Sequence, residues 1–313
     1  MNQSNQTIKT RLLGLAAATA VGFGAVTSGQ ALDLKKGEHV VLIGNSLAER
    51  MQHHGWLESY VQGSMAKKEI VFRNHGFAGD KVNNRPRNQN FPSADAYLEI
   101  SKTDVILAFW GYNESFDNSP DAYRADLAKW VDETNGKKYN GKGAPRLVLL
   151  SPIAHENLGQ ANLPDGSANN ERLAKYTEAT RQVANEKGVE FVDLFTLSQE
   201  LYEGSEKPLT INGIHLTSEG NQLLAQGIYR NLFGKAPKVG KRKLGRIQNA
   251  VLNKNWHWYN RYRATDGNDV WGGRSGLRFV DGQSNADVLK LSLIHISEPT
   301  RRTPISYAVF CLK

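Results

Sequence analysis

The chain has 313 residues, a formal charge of +8 and a single cysteine. The charge is local: Lys9 and Arg11 near one end, with Arg301, Arg302 and Lys313 against Glu298 near the other, account for half of it, and ten Lys/Arg with no Asp or Glu lie between Arg230 and Arg263. A near-neutral body argues against specific nucleic-acid recognition, and one cysteine excludes a disulfide framework or a Cys-based zinc site.

Taken in chain order, Lys9 and Arg11 precede an apolar, small-residue stretch from Leu12 to Val26 and a small-residue exit at Gly29-Gln30-Ala31. A charged start, a short apolar centre and small residues at the cleavage point describe a secretory signal peptide over 1–31, so a secreted or periplasmic bacterial protein is expected. Apolar, β-rich runs then follow at His39–Ile43, Glu69–Phe72, Asp104–Phe109, Arg146–Leu150 and Val189–Val192. Each is short and nearly continuously apolar, as strands buried on both faces of a parallel sheet are. Between them, 121–133 and 171–187 read as helices; Leu173, Tyr176, Thr180, Val183 and Ala184 mark one face of the second, and Gly188 stands at its C-terminal stop. A last helix is expected after Thr217, with Leu223, Leu224 and Ile228 inward. Strands interleaved with helices predict a three-layer α/β/α sandwich around a five-stranded parallel sheet.

Beyond Phe233, "GKAPKVGKRKLGR" reads as a basic Gly/Pro/Lys linker, and from Trp256 an aromatic, glycine-rich extension without clear periodicity runs to about residue 290. The basic tract over 230–263 is a candidate contact for an anionic surface, although a solvated linker is the commoner explanation. Trp256, Trp258, Tyr259 and Tyr262 could form a sugar-stacking platform; packing onto the domain is the plainer alternative. The last segment, "LSLIHISEPTRRTPISYAVFCLK" over 291–313, resembles translated sequencing adapter, so the natural chain is expected to depart near Lys290, and His295 and Cys311 carry no functional weight.

In open α/β sheets the ligand crevice lies at the carboxyl ends of the strands. Three runs here end in Gly44-Asn45-Ser46, Asn74-His75-Gly76 and Gly111-Tyr112-Asn113, and "INGIHLTSEG" places His215 just before the last helix. A serine at such a turn is by default a helix cap. Acyl transfer, however, needs a nucleophile, a base and N–H donors for an oxyanion. Ser46 and its own N–H, Gly76 N–H, the Asn113 amide and His215 supply that set, His215 having a neutral form near physiological pH. Asn212, three residues before His215, is an uncharged orienting partner; Asp193 and Glu219 are the carboxylates that could replace it. His53, His54 and His75 read as ordinary surface or variable positions, and His155-Glu156 as a loop pair near the crevice; no metal-ligand spacing joins the histidines.

These blocks carry a resemblance. "IGNSLAER", "NHGFAG", "GYNES" and "NGIHLTSEG" are similar, in order and spacing over residues 38–233, to the motif blocks of the SGNH hydrolase superfamily, the GDSL-type esterases and lipases. Asn45 stands where Asp is usual, Glu114 in an Asp slot, and Asn212 where the acid before the histidine is expected. The resemblance implies a flavodoxin-like hydrolase domain over 32–234, no cofactor and no metal, a nucleophile at Ser46, a base at His215, and oxyanion donors at Ser46, Gly76 and Asn113. It further implies a secreted serine hydrolase of acyl esters, most plausibly O-acetyl groups on carbohydrate, whose partner is a small acyl ester or acylated polysaccharide. Two rivals stand beside it: a lipase or lysophospholipase, for which no apolar lid segment is recognisable, and a catalytically silent carbohydrate- or surface-binding module, which the missing acid would suit. A flavodoxin-like FMN binder lacks a phosphate-cradling glycine loop after the first strand.

Overall fold

The computed structural model describes residues 31–87, 91–262, 273–280 and 282–287. The expected signal segment up to residue 30, residues 263–272 of the extension and the adapter-like tail lie outside the described residues. All five apolar runs form strands, with small shifts at their ends: β1 (His39–Gly44), β2 (Val71–Asn74), β3 (Val105–Phe109), β4 (Arg146–Leu150) and β5 (Glu190–Val192). They pair in parallel in the order β2-β1-β3-β4-β5. Helices α1 (Ser46–Met51), α2 (Trp56–Ser64), α3 (Ala94–Ile100), α4 (Pro120–Asn135), α5 (Ser167–Lys187), α6 (Leu194–Glu203), α7 (Ser218–Phe233) and α8 (Lys241–Tyr262) alternate with them or follow them. A short antiparallel pair, β6 (Arg278–Val280) and β7 (Gln283–Ser284), lies near the end of the described residues.

The continuous apolarity of the strands has a direct cause in the two cores. Val40, Leu42, Val105, Leu107, Val148 and Leu150 point to one face, where Leu57 and Tyr60 of α2 and Leu224 and Ile228 of α7 meet them. The alternate residues Val41, Ile43, Ile106, Ala108, Leu147 and Leu149 point to the other, against Leu127 and Trp130 of α4 and Tyr176 and Val183 of α5. With both faces covered, neither parity can be polar. The strand order then fixes the crevice: the chain leaves β1 for β2 on one side and returns to β3 on the other, so the connections part above the carboxyl ends of β1 and β3.

The expected linker is not one. From Lys241 the basic tract winds into the 22-residue helix α8, which packs on α2 and β2. Its inner face is Val251, Lys254, Asn255 and Trp258, a helical spacing of three and four residues in which two polar side chains lie between two apolar ones inside a basic tract. Each polar member has a partner. Lys254 Nζ donates to both carboxylate oxygens of Glu58 at 2.8 and 2.6 Å and to Phe72 O at 3.2 Å. Asn255 Nδ2 donates to Gln52 O, and Trp258 Nε1 to Asn74 O at 2.7 Å. Trp258 also stacks on His75, ring centroids 5.6 Å apart, with the Arg73 guanidinium over the Trp258 ring 5.1 Å from its centroid. Burial, with Arg73 nearby, pushes the His75 imidazole down to about 3, so a neutral ring is stacked. Trp258 is therefore a packing residue rather than part of a sugar platform, while Trp256 is exposed. No helix among the described residues is long and apolar enough to cross a membrane.

The Lys254–Glu58 pair has side chains only 3% and 8% exposed. Breaking such a pair from one side leaves a lone buried charge. Lys254→Met is expected to lower unfolding stability by about 3–5 kcal/mol, and a Lys254→Met/Glu58→Leu double variant to recover most of that loss, as read from urea midpoints at constant slope.

Candidate active site

The site begins at a glycine. Gly44 ends β1 at φ +139°, and a β-carbon there would lie 2.3 Å from Phe109 O of β3. Only glycine allows the two strand ends so close, and the chain turns at once into α1. Asn45 is the cap: its Oδ1 accepts from Leu47 N at 3.2 Å, its N–H bonds Phe109 O, and it is buried. Its Asp-to-Asn difference is thus a matter of loop hydrogen bonds. Ser46 opens the helix, half-buried; neither its Oγ nor its N–H has a protein partner among the described residues.

A crevice at this edge of the sheet is lined by Ser46, Arg50, Tyr112 and His215, with Leu47, Ile153, Ile214 and Leu216 supplying apolar wall. Its strand contributors are the ends of β1, β3 and β4, the last through Ser151, Pro152 and Ile153. Ser46 and His215, 169 positions apart in the chain, do meet at one cavity. No hydrogen bond joins Ser46 Oγ to the His215 ring; in unliganded enzymes such bonds often form only with substrate in place.

His215 is held by the amide the sequence offered. Asn212 Oδ1 accepts from His215 Nδ1 at 3.1 Å and from its backbone N–H at 3.0 Å. With Nδ1–H donating there, Nε2 carries the free lone pair. Burial, and then the Arg50 charge, pull the imidazole pKa below its ordinary value. Neither alternative carboxylate takes part. Asp193 caps α6, accepting from Thr196 N at 2.9 Å, and pairs with Arg181 at 3.1 Å; Glu219 is exposed in the first turn of α7. Asp193 is therefore withdrawn as an orienting residue, because its oxygens are committed to a helix start and a guanidinium.

The second block departs from expectation. Gly76 N–H donates to Asn74 Oδ1 at 2.8 Å, and a β-carbon at Gly76 would strike the α1 backbone at Glu49 N, 2.5 Å away. Asn74 Nδ2 in turn donates to Ala48 O at 2.6 Å. Asn74 and Gly76 clamp α1 from behind, and Gly76 is corrected from donor to packing residue because its N–H is taken by Asn74. In the block, the amides of Ala78 and Gly79 have no acceptor among the described residues; Gly79 sits in the tight turn closed by Asp80 N to Phe77 O. A count of motif positions could not separate the two glycines, since what distinguishes them is the Asn74 hydrogen bond and the α1 backbone packed on Gly76. The third block keeps its promise in part: Tyr112 lines the crevice, and the adjacent Asn113 has a side chain with no partner among the described residues. Glu114 explains the extra methylene in its slot, bridging the loops by accepting from Gly111 N at 2.9 Å and Val82 N at 2.8 Å; burial raises its pKa while those N–H groups oppose the rise.

Two residues that sequence reading left as a loop pair build the histidine loop. Glu156 is buried, and its carboxylate accepts from Leu209 N, Thr210 N and Thr210 Oγ1 at 2.6–3.1 Å, while its own N–H bonds Gly213 O. Ile211 N to His215 O, 2.8 Å, closes the loop. His155 is wedged beneath it: a β-carbon at Gly213, φ +88°, would come within 2.2 Å of its Nε2.

Comparison with known proteins bears on the whole arrangement. Residues 42–223 match the GDSL-like Lipase/Acylhydrolase family. The chain belongs to that family. As a GDSL-type member of the SGNH hydrolase superfamily it is an ester-hydrolysing enzyme. It is 26% identical over 204 residues to the GDSL esterase/lipase CPRD49 of Arabidopsis thaliana, covering 61% of this chain and 77% of that one. Among solved structures, Axe2, an acetylxylan esterase from Geobacillus stearothermophilus, superposes with a TM-score of 0.51 at 19% identity, over 67% of this chain and all of Axe2. Structures of Axe2 catalytic mutants with a serine, a histidine or an aspartate replaced by alanine align at TM-scores of 0.50–0.51 and 18% identity, over 64–67% of this chain and 96–100% of the mutants. These likenesses establish the five-stranded α/β/α sandwich.

Because three donors converge on Glu156, an amide there would turn one acceptor into a donor facing donors. Glu156→Gln is expected to cost about 2–3 kcal/mol of unfolding free energy, measured by urea denaturation; a change below about 0.5 kcal/mol would show that the loop holds without it.

Proposed function

We propose that this GDSL-type enzyme removes small acyl groups, O-acetyl above all, from carbohydrate, with Ser46 as nucleophile and His215 as base. The observation that carries the reading is the shared crevice: a serine hydroxyl without a protein partner faces the same cavity as an imidazole whose Nδ1 is occupied by Asn212. In the reaction, His215 Nε2 takes the Ser46 proton as Oγ attacks the ester carbonyl. The oxyanion is met by the N–H of Ser46 and the Asn113 amide, with Gly79 the second-block amide in place of Gly76. His215 returns the proton to the departing sugar hydroxyl; water, deprotonated by the same ring, then releases the carboxylic acid and regenerates Ser46. The small, partly apolar wall of Leu47, Ile153 and Ile214 suits a short acyl chain. Axe2 lends support to an acetylated sugar as substrate. The charged, apolar and small-residue order of the first 31 residues supports export from a bacterial cell.

Fluorophosphonate labelling followed by peptide mapping is expected to mark the peptide containing Ser46, and Ser46→Ala to reduce hydrolysis of p-nitrophenyl acetate at least about 1,000-fold. Label elsewhere, or an Ala variant as active as the parent, would sink the assignment.

Asn212 supplies geometry without charge, which leads to a signed expectation. With the imidazole pKa depressed, the acid limb of kcat/KM lies below the ordinary histidine value near 6.5, and activity persists into mildly acidic solution. Asn212→Asp places a carboxylate on Nδ1, favours the imidazolium, and moves that limb to higher pH. It also stabilises the imidazolium formed in the transition state, so kcat on the plateau is expected to rise about tenfold or more. A limb that stays in place in pH–rate profiles would refute the Asn212 contact as the orienting one.

A further inference from the structure

Arg50 lines the crevice beside His215, and none of its guanidinium nitrogens has a hydrogen bond or ion pair among the described residues. Its Nε is buried without a partner. A guanidinium carries five donors in a fixed fork, and leaving them unmatched at a partly desolvated wall is costly. Its neighbour in the chain, Glu49, is engaged elsewhere, bonding His53 at 3.2 Å. A second guanidinium, Arg172, stands near Tyr112 with only neutral hydrogen-bond partners, Ser115 Oγ at 3.2 Å and Asn169 Oδ1 at 2.8 Å, and lies over the Phe116 ring. Arg50 is the one residue of formal charge among those lining the crevice, and the body of the chain is near neutral.

We propose that Arg50 is a specificity-determining residue that pairs with a carboxylate on the substrate, so that the preferred ester is an acylated sugar acid, a uronate unit, rather than a neutral sugar. This rests on the esterase reading above. A planar guanidinium matches a carboxylate through two parallel hydrogen bonds. One cation set among apolar side chains neutralises a monoanion, whereas a phosphate dianion would retain a net charge at the same wall. The sugar carboxylate on Arg50 would also fix which hydroxyl presents its ester to Ser46, converting recognition into orientation.

The test uses the whole chain and three acetylated methyl glycosides with the same acetylation pattern, which carry at carbon six a hydroxyl, a carboxylate or a phosphate. Acetate release is measured on the pH plateau of each variant, so that the change in His215 caused by losing Arg50 does not enter. The parent is expected to show kcat/KM for the uronate at least about tenfold above that for the neutral glycoside, carried mainly by KM. Arg50→Met should bring that ratio near one, and Arg50→Lys, which keeps charge but not the fork, should retain part of it. A parent ratio near one, a ratio unchanged in Arg50→Met, or a phosphate preferred to the carboxylate each overturns the proposal while leaving ester hydrolysis intact. Failure to cleave any of the three together with absence of Ser46 labelling removes the hydrolase reading itself, and this proposal with it.

Discussion

The carbonyl oxygen of Phe109 lies where a β-carbon at residue 44 would stand. That one close approach lets the ends of β1 and β3 sit side by side at the point where the chain's connections part, and it sets the turn from which Ser46 opens α1. Tyr112 and Asn113 follow from the same β3 end. Everything the chemistry asks of the first and third motif blocks therefore descends from a single missing methylene. The histidine arrives independently, on a loop whose own geometry is dictated by Glu156 from the end of β4. Two separately anchored pieces meet over the sheet.

Much of this was legible before any coordinates. Five strands showed as apolar runs because both faces of a parallel sheet are covered, and α4, α5 and α7 showed because their inner faces are written in Leu, Tyr, Val and Ile. Helix α8 was not, because its amphipathic pattern sits in a basic, low-hydropathy tract and its buried stripe of Val251, Lys254, Asn255 and Trp258 includes a lysine and an amide that only hydrogen bonds and an ion pair make buriable. At the site, Ser46, Asn212 and His215 could be named from spacing. Gly76 could not be told from Gly79, since the difference lies in which amide Asn74 already occupies. Arg50 and Glu156 were invisible for a related reason: an arginine without a carboxylate, and a glutamate with three donors, look like any surface residues until their neighbours are known.

The amide at 212 has a wider meaning for the electrostatics of the crevice. A carboxylate there would attract Arg50 as well as the imidazolium, and would compete with an anionic ligand for the guanidinium. With Asn212 the ring is still aligned, through the same oxygen, while the local field stays positive. Weakened stabilisation of the imidazolium and a free guanidinium are thus two faces of one substitution, and an enzyme acting on an acidic sugar could gain in recognition part of what it loses in proton transfer.

Helix α8 does something beyond packing. β2 is the outermost strand on its side of the sheet, and its residues alternate between bonding β1 and facing outward. The outward carbonyls of Phe72 and Asn74 are those that receive Lys254 Nζ and Trp258 Nε1. An open strand border is a template onto which another chain can add. Here side chains from a helix outside the sandwich occupy that border, so the same segment that looked like a tether acts as a guard against strand-on-strand self-association.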